Sequence, residues 1–388
     1  MSMKPPPYEV VFSRPFHSSN ELENVRAVLC SDHVHGDGSY TRSASERLRQ
    51  VSSSSAVFLT TSGTHALEMT IRLLDIGPGD EVILPSFTFP SAANAVALAG
   101  ATCVFVDLDP LTGNLDPAGV AEAVTSATRA ISVMHYGGVP VDLTEISAIA
   151  EQHGIPIIED NAHGLGVVTR HGVLGSIGRL GMQSFHDTKN VHSGEGGALL
   201  VNDPVLVEHA EILREKGTNR SKFIRGQVDK YSWVALGSSY LMSELNAAVL
   251  DSQLSEFTII QAERFAIWNA YAARLAPWAE QHGVQLMSPP EGIHAAHVFW
   301  MIMPDAASQA ATLQRLRGMG IEATSHYVPL DTSIAGRRYG RTLHPLTHTA
   351  DFASRLVRLP LWAGMSEDQV SQVIESLGSL TPVAGAVN

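Results

Sequence analysis

The sequence predicts an α/β protein with a mostly parallel sheet in a large domain and a small α+β domain at the C-terminal end. Short apolar runs without polar alternation recur between segments whose apolar residues have helical spacing. Such runs are typical of strands that helices cover on both faces. The predicted strands are residues 56–59, 82–84, 103–106, 130–134, 155–158 and 198–201, and the predicted helices are residues 64–74, 91–98, 117–124 and 143–153.

The pattern changes near Ser239 to one long helical stretch that continues to Leu275, just before Pro277. Further along the chain we expect a strand near residues 298–303, a helix over residues 306–319 and a last helix over residues 366–380. These elements predict a small α+β unit. The predicted domains are a large one of residues 1–255, which includes the N-terminal segment, and a small one of residues 256–388.

Composition narrows the classes of partner. The formal net charge of -13 argues against a nucleic-acid or anionic-membrane partner, because both require a basic surface. No run of about 18 uncharged apolar residues is present, and the start of the chain lacks an apolar leader pattern. The two cysteines, Cys30 and Cys103, support neither a disulfide framework nor a metal site. We expect a cytoplasmic protein.

The first of three motifs at predicted strand ends is the sequence Thr-Ser-Gly-Thr at residues 61–64. Gly63 allows a close backbone approach, Thr64 adds a hydroxyl, and the following helix begins with unpaired N–H groups. This combination suits a phosphate group. The motif alone is also compatible with a simple turn between a strand and a helix.

The second motif is residues 157–163, in which an apolar strand ends in two acidic residues, Glu159 and Asp160. A carboxylate at the end of a buried strand is desolvated, so Asp160 requires a cationic partner. The alternative is that Asp160 caps the next helix or accepts from loop amides.

The third motif is residues 181–190 with Lys189 near its end, followed by the glycine-rich residues 194–197. A lysine in this setting can be a desolvated amine that forms a Schiff base, although a solvated surface lysine is the alternative. The chain has only five lysines, and the other four lie in a tail or a polar stretch: Lys4, Lys216, Lys222 and Lys230. Pyridoxal 5'-phosphate (PLP) needs a phosphate cradle, a ring sandwich, an acid and a lysine, so we predict PLP as the cofactor.

With these motifs the sequence resembles the DegT-type sugar-nucleotide aminotransferases, which share the aspartate aminotransferase fold, PLP fold type I. Within that family it most resembles the enterobacterial transaminases of dTDP-4-oxo-6-deoxy-D-glucose. The similarity runs nearly end to end and is carried by residues 36–38, 79–89, 184–190, 214–220, 225–231, 237–243 and 326–330.

The resemblance implies roles for individual residues. Lys189 would carry the cofactor and shuttle a proton, while Asp160 would pair with the pyridinium nitrogen. The remaining cofactor contacts implied by position are Phe89 on the ring, His163 at the ring hydroxyl where many relatives have glutamine, and Gly63, Thr64 and Ser184 at the phosphate. Without the resemblance, Phe89 would be interpreted as a core aromatic.

The resemblance also implies a homodimer whose active sites are built from both chains. Many relatives have an asparagine at the position of Ser239 that reaches the neighbouring subunit's cofactor phosphate, and the shorter serine leaves this contact open. Arg225 and Lys230 are candidates to neutralise a nucleotide diphosphate in the neighbour's site, and His326 is a third candidate for substrate binding. For Arg225 the alternative is a solvated surface loop.

The implied reaction is transamination of a dTDP-4-oxo-6-deoxyhexose at carbon 4 with L-glutamate as amino donor, giving a dTDP-4-amino-4,6-dideoxyhexose. The alternatives are a 3-oxo sugar, a GDP- or UDP-linked sugar, and a non-catalytic regulator on the same fold. Related sugar dehydratases have histidine in place of the lysine, so Lys189 argues against that activity. The sequence leaves the galacto or gluco configuration of the product open.

Overall fold

The structure is a computed structural model that describes residues 8–380; Lys4, the start of the predicted large domain and the end of the predicted small domain lie outside this range. Its strands are β1 (Ala56–Thr60), β2 (Glu81–Pro85), β3 (Thr102–Val106), β4 (Thr128–Met134), β5 (Ile157–Asp160), β6 (Val168–Thr169), β7 (Gly172–Val173), β8 (Leu180–Ser184), β9 (Gly197–Val201), β10 (Gln285–Leu286), β11 (Phe299–Ile302), β12 (Gly340–Thr342) and β13 (Leu356–Leu359).

The α-helices of the same range are α1 (Glu21–Leu29), α2 (Ser39–Ser52), α3 (Gly63–Leu73), α4 (Pro90–Leu98), α5 (Pro117–Ala123), α6 (Leu143–His153), α7 (Val207–Arg214), α8 (Arg220–Ile224), α9 (Glu244–Ser255), α10 (Phe257–His282), α11 (Ala306–Gly318), α12 (Ile334–Tyr339), α13 (Thr347–Arg355) and α14 (Glu367–Gly378). Short 3₁₀ turns occur at Tyr136–Gly138, Pro204–Leu206 and Pro290–Gly292.

The largest sheet of the described residues has eight strands in the order β1-β9-β8-β5-β4-β2-β3-β12. Only β9 runs against the others, since it pairs antiparallel with both β1 and β8. Met134 pairs with Asp160 between β4 and β5, and Asp160 pairs with Met182 between β5 and β8. The predicted mostly parallel α/β architecture is confirmed, and its register brings these strand ends to one edge, where open α/β sheets bind ligands.

Burial on both faces explains the apolar runs that predicted the strands. In β2, Val82 and Leu84 enter the core beneath α3 and α4, whereas Ile83 between them enters the core beneath α5 and α6. Successive side chains of a strand point to opposite faces, so a strand covered on both sides has no polar alternation.

The long helical stretch differs from its prediction in two ways. Glu256 separates α9 from α10, and Pro277 lies inside α10 rather than ending the helical stretch. Proline removes one helical hydrogen bond, but Leu275 and Trp278 on either side of it are buried in the C-terminal core. The helix ends instead at Gly283, whose φ of 64° places it in the left-handed region.

The C-terminal core packs α10 and α14 around an antiparallel sheet with the strand order β10-β11-β13. Two connections cross the predicted boundary after residue 255. Val10 of the N-terminal segment is buried in this C-terminal core, while β12 pairs with β3 in the large sheet. The boundary itself stays a prediction.

No helix among residues 8–380 combines the length and apolar character that a membrane span requires.

Candidate active site

The three strand-end motifs converge on one cavity of ≈ 640 Å³ at the carboxyl edge of the large sheet. Eight of the residues singled out in the sequence line it: Gly63, Thr64, Phe89, Asp160, His163, Ser184, Lys189 and His326. Parts of the chain more than 260 residues apart therefore meet in one site, and the predicted roles can be examined residue by residue.

The start of α3 provides anion-binding groups. Ser62 caps the helix by accepting from the His65 N–H, whereas the N–H groups of Gly63 and Thr64 have no partner within the described residues. A Cβ at Gly63 would lie 3.1 Å from the Ser184 Cβ, so a larger residue would crowd this end of the cavity. Free N–H groups at a helix start, together with hydroxyls, suit a phosphate group.

Asp160 lacks a cationic partner for its carboxylate. It is 3% exposed, and the only hydrogen bond to its carboxylate among the described residues comes from the Ala162 N–H at 3.1 Å. Burial raises the pKa of Asp160 above its ordinary value, although the nearby Lys189 amine opposes that shift. A buried carboxylate with one backbone donor fits a cationic ring nitrogen of a bound cofactor.

Lys189 has the properties of a nucleophilic amine. Part of its surface faces the cavity, but protein surrounds the amine, and this burial lowers the pKa of Lys189 to about 8 despite the opposing charge of Asp160. Near pH 7 roughly one amine in ten is then neutral, against a few in ten thousand for an ordinary lysine. Neutral amine is the form that attacks a carbonyl carbon.

Phe89 presents its ring to the cavity. It is 56% exposed, so it is not a core aromatic, and it immediately precedes α4 as the N-terminal cap position. Tyr327 approaches it edge-on with ring centroids 6.4 Å apart. An exposed aromatic face at this place can cover a flat ligand ring.

Three histidines line the cavity beside Lys189. His163 and His297 stack with centroids 4.1 Å apart, and the ring of His326 is parallel to that of His163 at 6.4 Å. The Tyr136 hydroxyl lies 3.2 Å from His326 Nδ1. Burial lowers the pKa of His326 to about 2, so its ring is neutral at physiological pH.

Sequence reasoning missed two polar residues of the cavity, His297 and Arg358. Both are buried and both line the cavity. His297 comes just before β11 and Arg358 lies within β13, so both enter the site from the C-terminal sheet. The available signal was an arginine inside an otherwise apolar strand, a position that arginine rarely occupies without a partner.

Three predicted site residues lie outside this cavity in their own chain. Ser239 is exposed, and its backbone forms an isolated antiparallel β-bridge with Glu215. Arg225 is exposed and donates to both carboxylate oxygens of Glu211 at 2.8 and 2.9 Å. The Lys230 side chain makes no hydrogen bond within residues 8–380 and is also exposed. Their predicted roles would require a second chain.

The fold and this site define an aminotransferase of PLP fold type I. The sequence matches the DegT/DnrJ/EryC1/StrS aminotransferase family over residues 15–378, and the chain belongs to this family. It is a PLP-dependent sugar aminotransferase.

Solved structures agree with this assignment. The chain is similar to the aminotransferase TlmJ from Streptoalloteichus hindustanus, at 30% identity over 95% of this chain and 98% of that chain with a TM-score of 0.87. It is also similar to DesV from S. venezuelae, solved with a ketimine intermediate, at 28% identity over 94% and 98% of the two chains with a TM-score of 0.85. A Streptococcus pneumoniae protein, Spr1654, in its PLP form is 23% identical over 96% and 98% of the chains with a TM-score of 0.87, which shows the fold alone.

The residues present fit PLP. Gly63, Thr64 and Ser184 would hold its phosphate. Asp160 would meet its ring nitrogen and Lys189 its aldehyde. The described residues contain no cluster of side chains that could hold a metal ion. When bound, PLP withdraws electrons from the carbon that loses a proton. The neutral Lys189 amine can accept that proton and return it, while the burial of Asp160 strengthens the charge interaction at its carboxylate.

We predict that Lys189 alone carries the cofactor. Lys189→Ala should lose the visible absorbance of the bound cofactor and all turnover, because no other lysine of the described residues lines the cavity. Borohydride reduction followed by peptide mapping should place the pyridoxyl group on Lys189, with Lys222→Ala as a matched control that keeps the visible absorbance. Recovery of the group on Lys216, Lys222 or Lys230 would contradict the assignment.

Proposed function

We propose that this aminotransferase acts at carbon 4 of a dTDP-linked 4-oxo-6-deoxyhexose, takes its amino group from L-glutamate and works as a cytoplasmic homodimer with shared active sites. The product would be a dTDP-4-amino-4,6-dideoxyhexose. The single observation that best supports the amino-donor part is the buried guanidinium of Arg358 in the cavity. The sugar part is supported by the similarity of segments outside the cofactor motifs, residues 214–220 and 225–231.

Arg358 has the surroundings of a carboxylate receptor. It is 7% exposed, and no carboxylate pairs with it within residues 8–380. Its Nη2 donates to Thr324 Oγ1 at 2.9 Å and to the Ser325 carbonyl at 3.1 Å, whereas its Nε has no partner. Burial lowers the pKa of Arg358, which is the electrostatic cost of a buried cation without a counterion. A bound carboxylate would remove that cost.

Phe12 limits the side from which a ligand can reach this arginine. The Arg358 guanidinium carbon lies 4.5 Å from the centroid of the Phe12 ring, so one face of the cation is covered. The unpaired Nε is buried, whereas Nη1 makes no hydrogen bond within the described residues and remains for a ligand. Planar, edge-on contact is the geometry in which guanidinium groups bind carboxylates, and glutamate supplies such a group.

The nucleotide end of the substrate needs positive charge from elsewhere. Arg214 already has partners in its own chain, since it pairs with Asp37 and its guanidinium carbon lies 5.3 Å from the centroid of the Phe58 ring. Arg225 and Lys230 are better candidates because both are exposed. The Arg225–Glu211 pair at the surface contributes little to stability, so a diphosphate can replace the carboxylate at small cost.

A second copy of the chain is supported by the surface around these cations. Ile224, Trp233 and Leu236 are 64%, 73% and 74% exposed in the single chain, and Val234 between them is 53% exposed. Large apolar side chains grouped in this way mark an interaction surface rather than a solvated loop. A symmetric dimer formed through residues 220–239 would bury them and bring Arg225 and Lys230 to the neighbour's cavity.

The alternatives have weaker support. A regulator without chemistry would not need a buried lysine with a lowered pKa, and a dehydratase of the histidine type would lack Lys189. A 3-oxo, GDP-linked or UDP-linked sugar is the nearest alternative, since the family members differ in substrate. Cytoplasmic location is supported by Cys30 and Cys103, both free thiols.

We expect the purified holoprotein to aminate dTDP-4-oxo-6-deoxyglucose with glutamate, and the product can be identified by NMR. Glutamate alone should bleach the visible absorbance of the cofactor, which tests the donor half-reaction separately from the sugar. Faster turnover of the 3-oxo isomer, or of a GDP- or UDP-linked 4-oxo sugar, would move the proposal to that substrate.

Arg358→Met should impair the two halves of the reaction unequally. Loss of a buried charged hydrogen-bond partner costs about 2–5 kcal/mol, so kcat/KM for glutamate should fall by roughly thirtyfold or more. The second half-reaction, in which the pyridoxamine form reacts with the oxo sugar, should change much less. Arg355→Met, which removes a nearby arginine that pairs with Asp351 outside the cavity, is the control. Equal losses in both half-reactions would argue against a donor-carboxylate role.

Subunit mixing tests the shared sites. Lys189→Ala and Arg225→Ala chains should each be nearly inactive, but their heterodimer would contain one site with both residues intact if Arg225 acts across the interface. A random equimolar mixture should then recover roughly a quarter of wild-type activity, because half of the dimers have one intact site. If verified subunit exchange restores nothing, Arg225 serves its own chain, and if Arg225→Ala alone is fully active, Arg225 serves no site.

A further inference from the structure

Two stacked histidines connect the large sheet to the C-terminal sheet at the cavity. His163 follows β5 and His297 precedes β11, and their rings lie 4.1 Å apart with an interplanar angle of 26°. Both are less than a tenth exposed and both line the cavity beside Lys189. Neither Nε2 atom has a hydrogen-bond partner within the described residues, so both remain free for a ligand.

The protonation of His163 is fixed by a backbone group. The Gly137 N–H donates to His163 Nδ1 at 3.2 Å. A backbone N–H can only donate, so Nδ1 carries no proton and the neutral ring has its proton on Nε2. Gly137 has a φ of 66°, and a Cβ there would lie 3.0 Å from the Val298 side chain. A side chain at this position would be strained, so glycine favours the backbone conformation that presents the donor.

His297 is fixed in the opposite way by Asn190, the residue after Lys189. The Asn190 amide donates through Nδ2 to the Ala295 carbonyl at 2.9 Å and to Gln261 Oε1 at 2.7 Å. Because a carbonyl can only accept, the amide cannot be turned around. Its Oδ1 therefore faces His297 Nδ1 at 2.8 Å, and that nitrogen must carry the proton.

The charges around His163 oppose a second proton on its ring. The groups that face it from the surrounding elements are Lys189, His297, His326, Arg358, Asp160 and Tyr136. Burial first, and then the positive charge of Lys189, hold the pKa of His163 well below its ordinary value. A proton on Nδ1 would also break the bond from Gly137. His163 is thus a neutral donor.

We propose that His297 is a positioning residue: anchored to Asn190, its ring packs against His163 and directs the Nε2–H of His163 to the phenolic oxygen of PLP. The proposal requires PLP in this cavity but not any particular sugar or amino donor. Its failure is therefore distinguishable from failure of the proposed substrate.

The expected signature is spectroscopic. A neutral N–H that donates to the phenolic oxygen stabilises the deprotonated oxygen, so it lowers the pH at which the visible absorbance of the bound cofactor titrates. Loss of a hydrogen bond to a charged oxygen should raise that apparent pKa by roughly one to two pH units. A side chain with a structural role alone would not move it.

The experiment is an absorbance titration of the holoprotein and four variants. His163→Phe, which keeps a ring but no donor, should raise the apparent pKa, whereas His163→Gln should stay near the wild-type value because its amide can donate. His297→Ala should shift the apparent pKa upward by a smaller amount, since His163 remains but is no longer held. The matched control is His294→Asn, which removes a buried imidazole from the same segment and keeps an acceptor for the Ala296 N–H, now bound at 3.0 Å. It should not shift the apparent pKa.

Three results would overturn the proposal. One is an unchanged apparent pKa in His297→Ala with the cofactor bound, and another is an equal shift in His294→Asn. The third does not depend on a variant: in ¹⁵N-histidine-labelled holoprotein, two-bond nitrogen–proton couplings should show the proton on Nε2 of His163 and on Nδ1 of His297. A proton on Nδ1 of His163 would contradict the proposed tautomer even if the alanine variant fails to fold.

Discussion

The burial of one acid and one amine in the same cavity determines what this site can do. Asp160 and Lys189 are each shifted toward the neutral form by burial, and each is partly held in the charged form by the other. This mutual effect is stronger in a buried site than it would be in water, because the surrounding protein screens charge less. The sheet provides the closure, because the register of β4, β5 and β8 brings Asp160 and the strand before Lys189 to the same edge. Asp160 would meet the cationic ring nitrogen of bound PLP, and Lys189 would meet its aldehyde.

The features predicted from the sequence share a local origin. Lys189 stands out because its neighbours are polar and glycine-rich residues follow it, and Asp160 stands out because a carboxylate ends an apolar run. The apolar runs of β2 and β5 predict a sheet covered on both faces because burial on both faces leaves no polar alternation. In each case the informative residues lie within about ten positions of one another, so the pattern is visible without knowledge of the tertiary fold.

The features that were missed depend on long-range packing. Pro277 lies inside α10 because the burial of Leu275 and Trp278 outweighs one lost helical hydrogen bond. Arg358 and His297 become part of the site only when the C-terminal sheet packs against the large sheet, nearly 170 and more than 100 positions from Lys189. Local propensity has no information about such distances. Arg225 and Ser239 represent a further limit, since their predicted partners would belong to another chain.

Side chains from the large sheet and side chains from the C-terminal sheet have different roles within the cavity. Groups that match the cofactor, such as Asp160 and the start of α3, belong to the large sheet and its helices. Groups that come from the C-terminal sheet, such as Arg358 and His297, either face a ligand or support a neighbouring ring. The N-terminal segment connects these parts, since Val10 is buried in the C-terminal core while Phe12 covers Arg358. A change in the position of the C-terminal sheet would therefore alter the arginine and the histidine stack together, with the lysine and its acid left in place. With the proposed roles, such a change would alter the contact with the donor carboxylate and the hydrogen bond from His163, because both depend on the C-terminal sheet, whereas the start of α3, Asp160 and Lys189 depend on the large sheet.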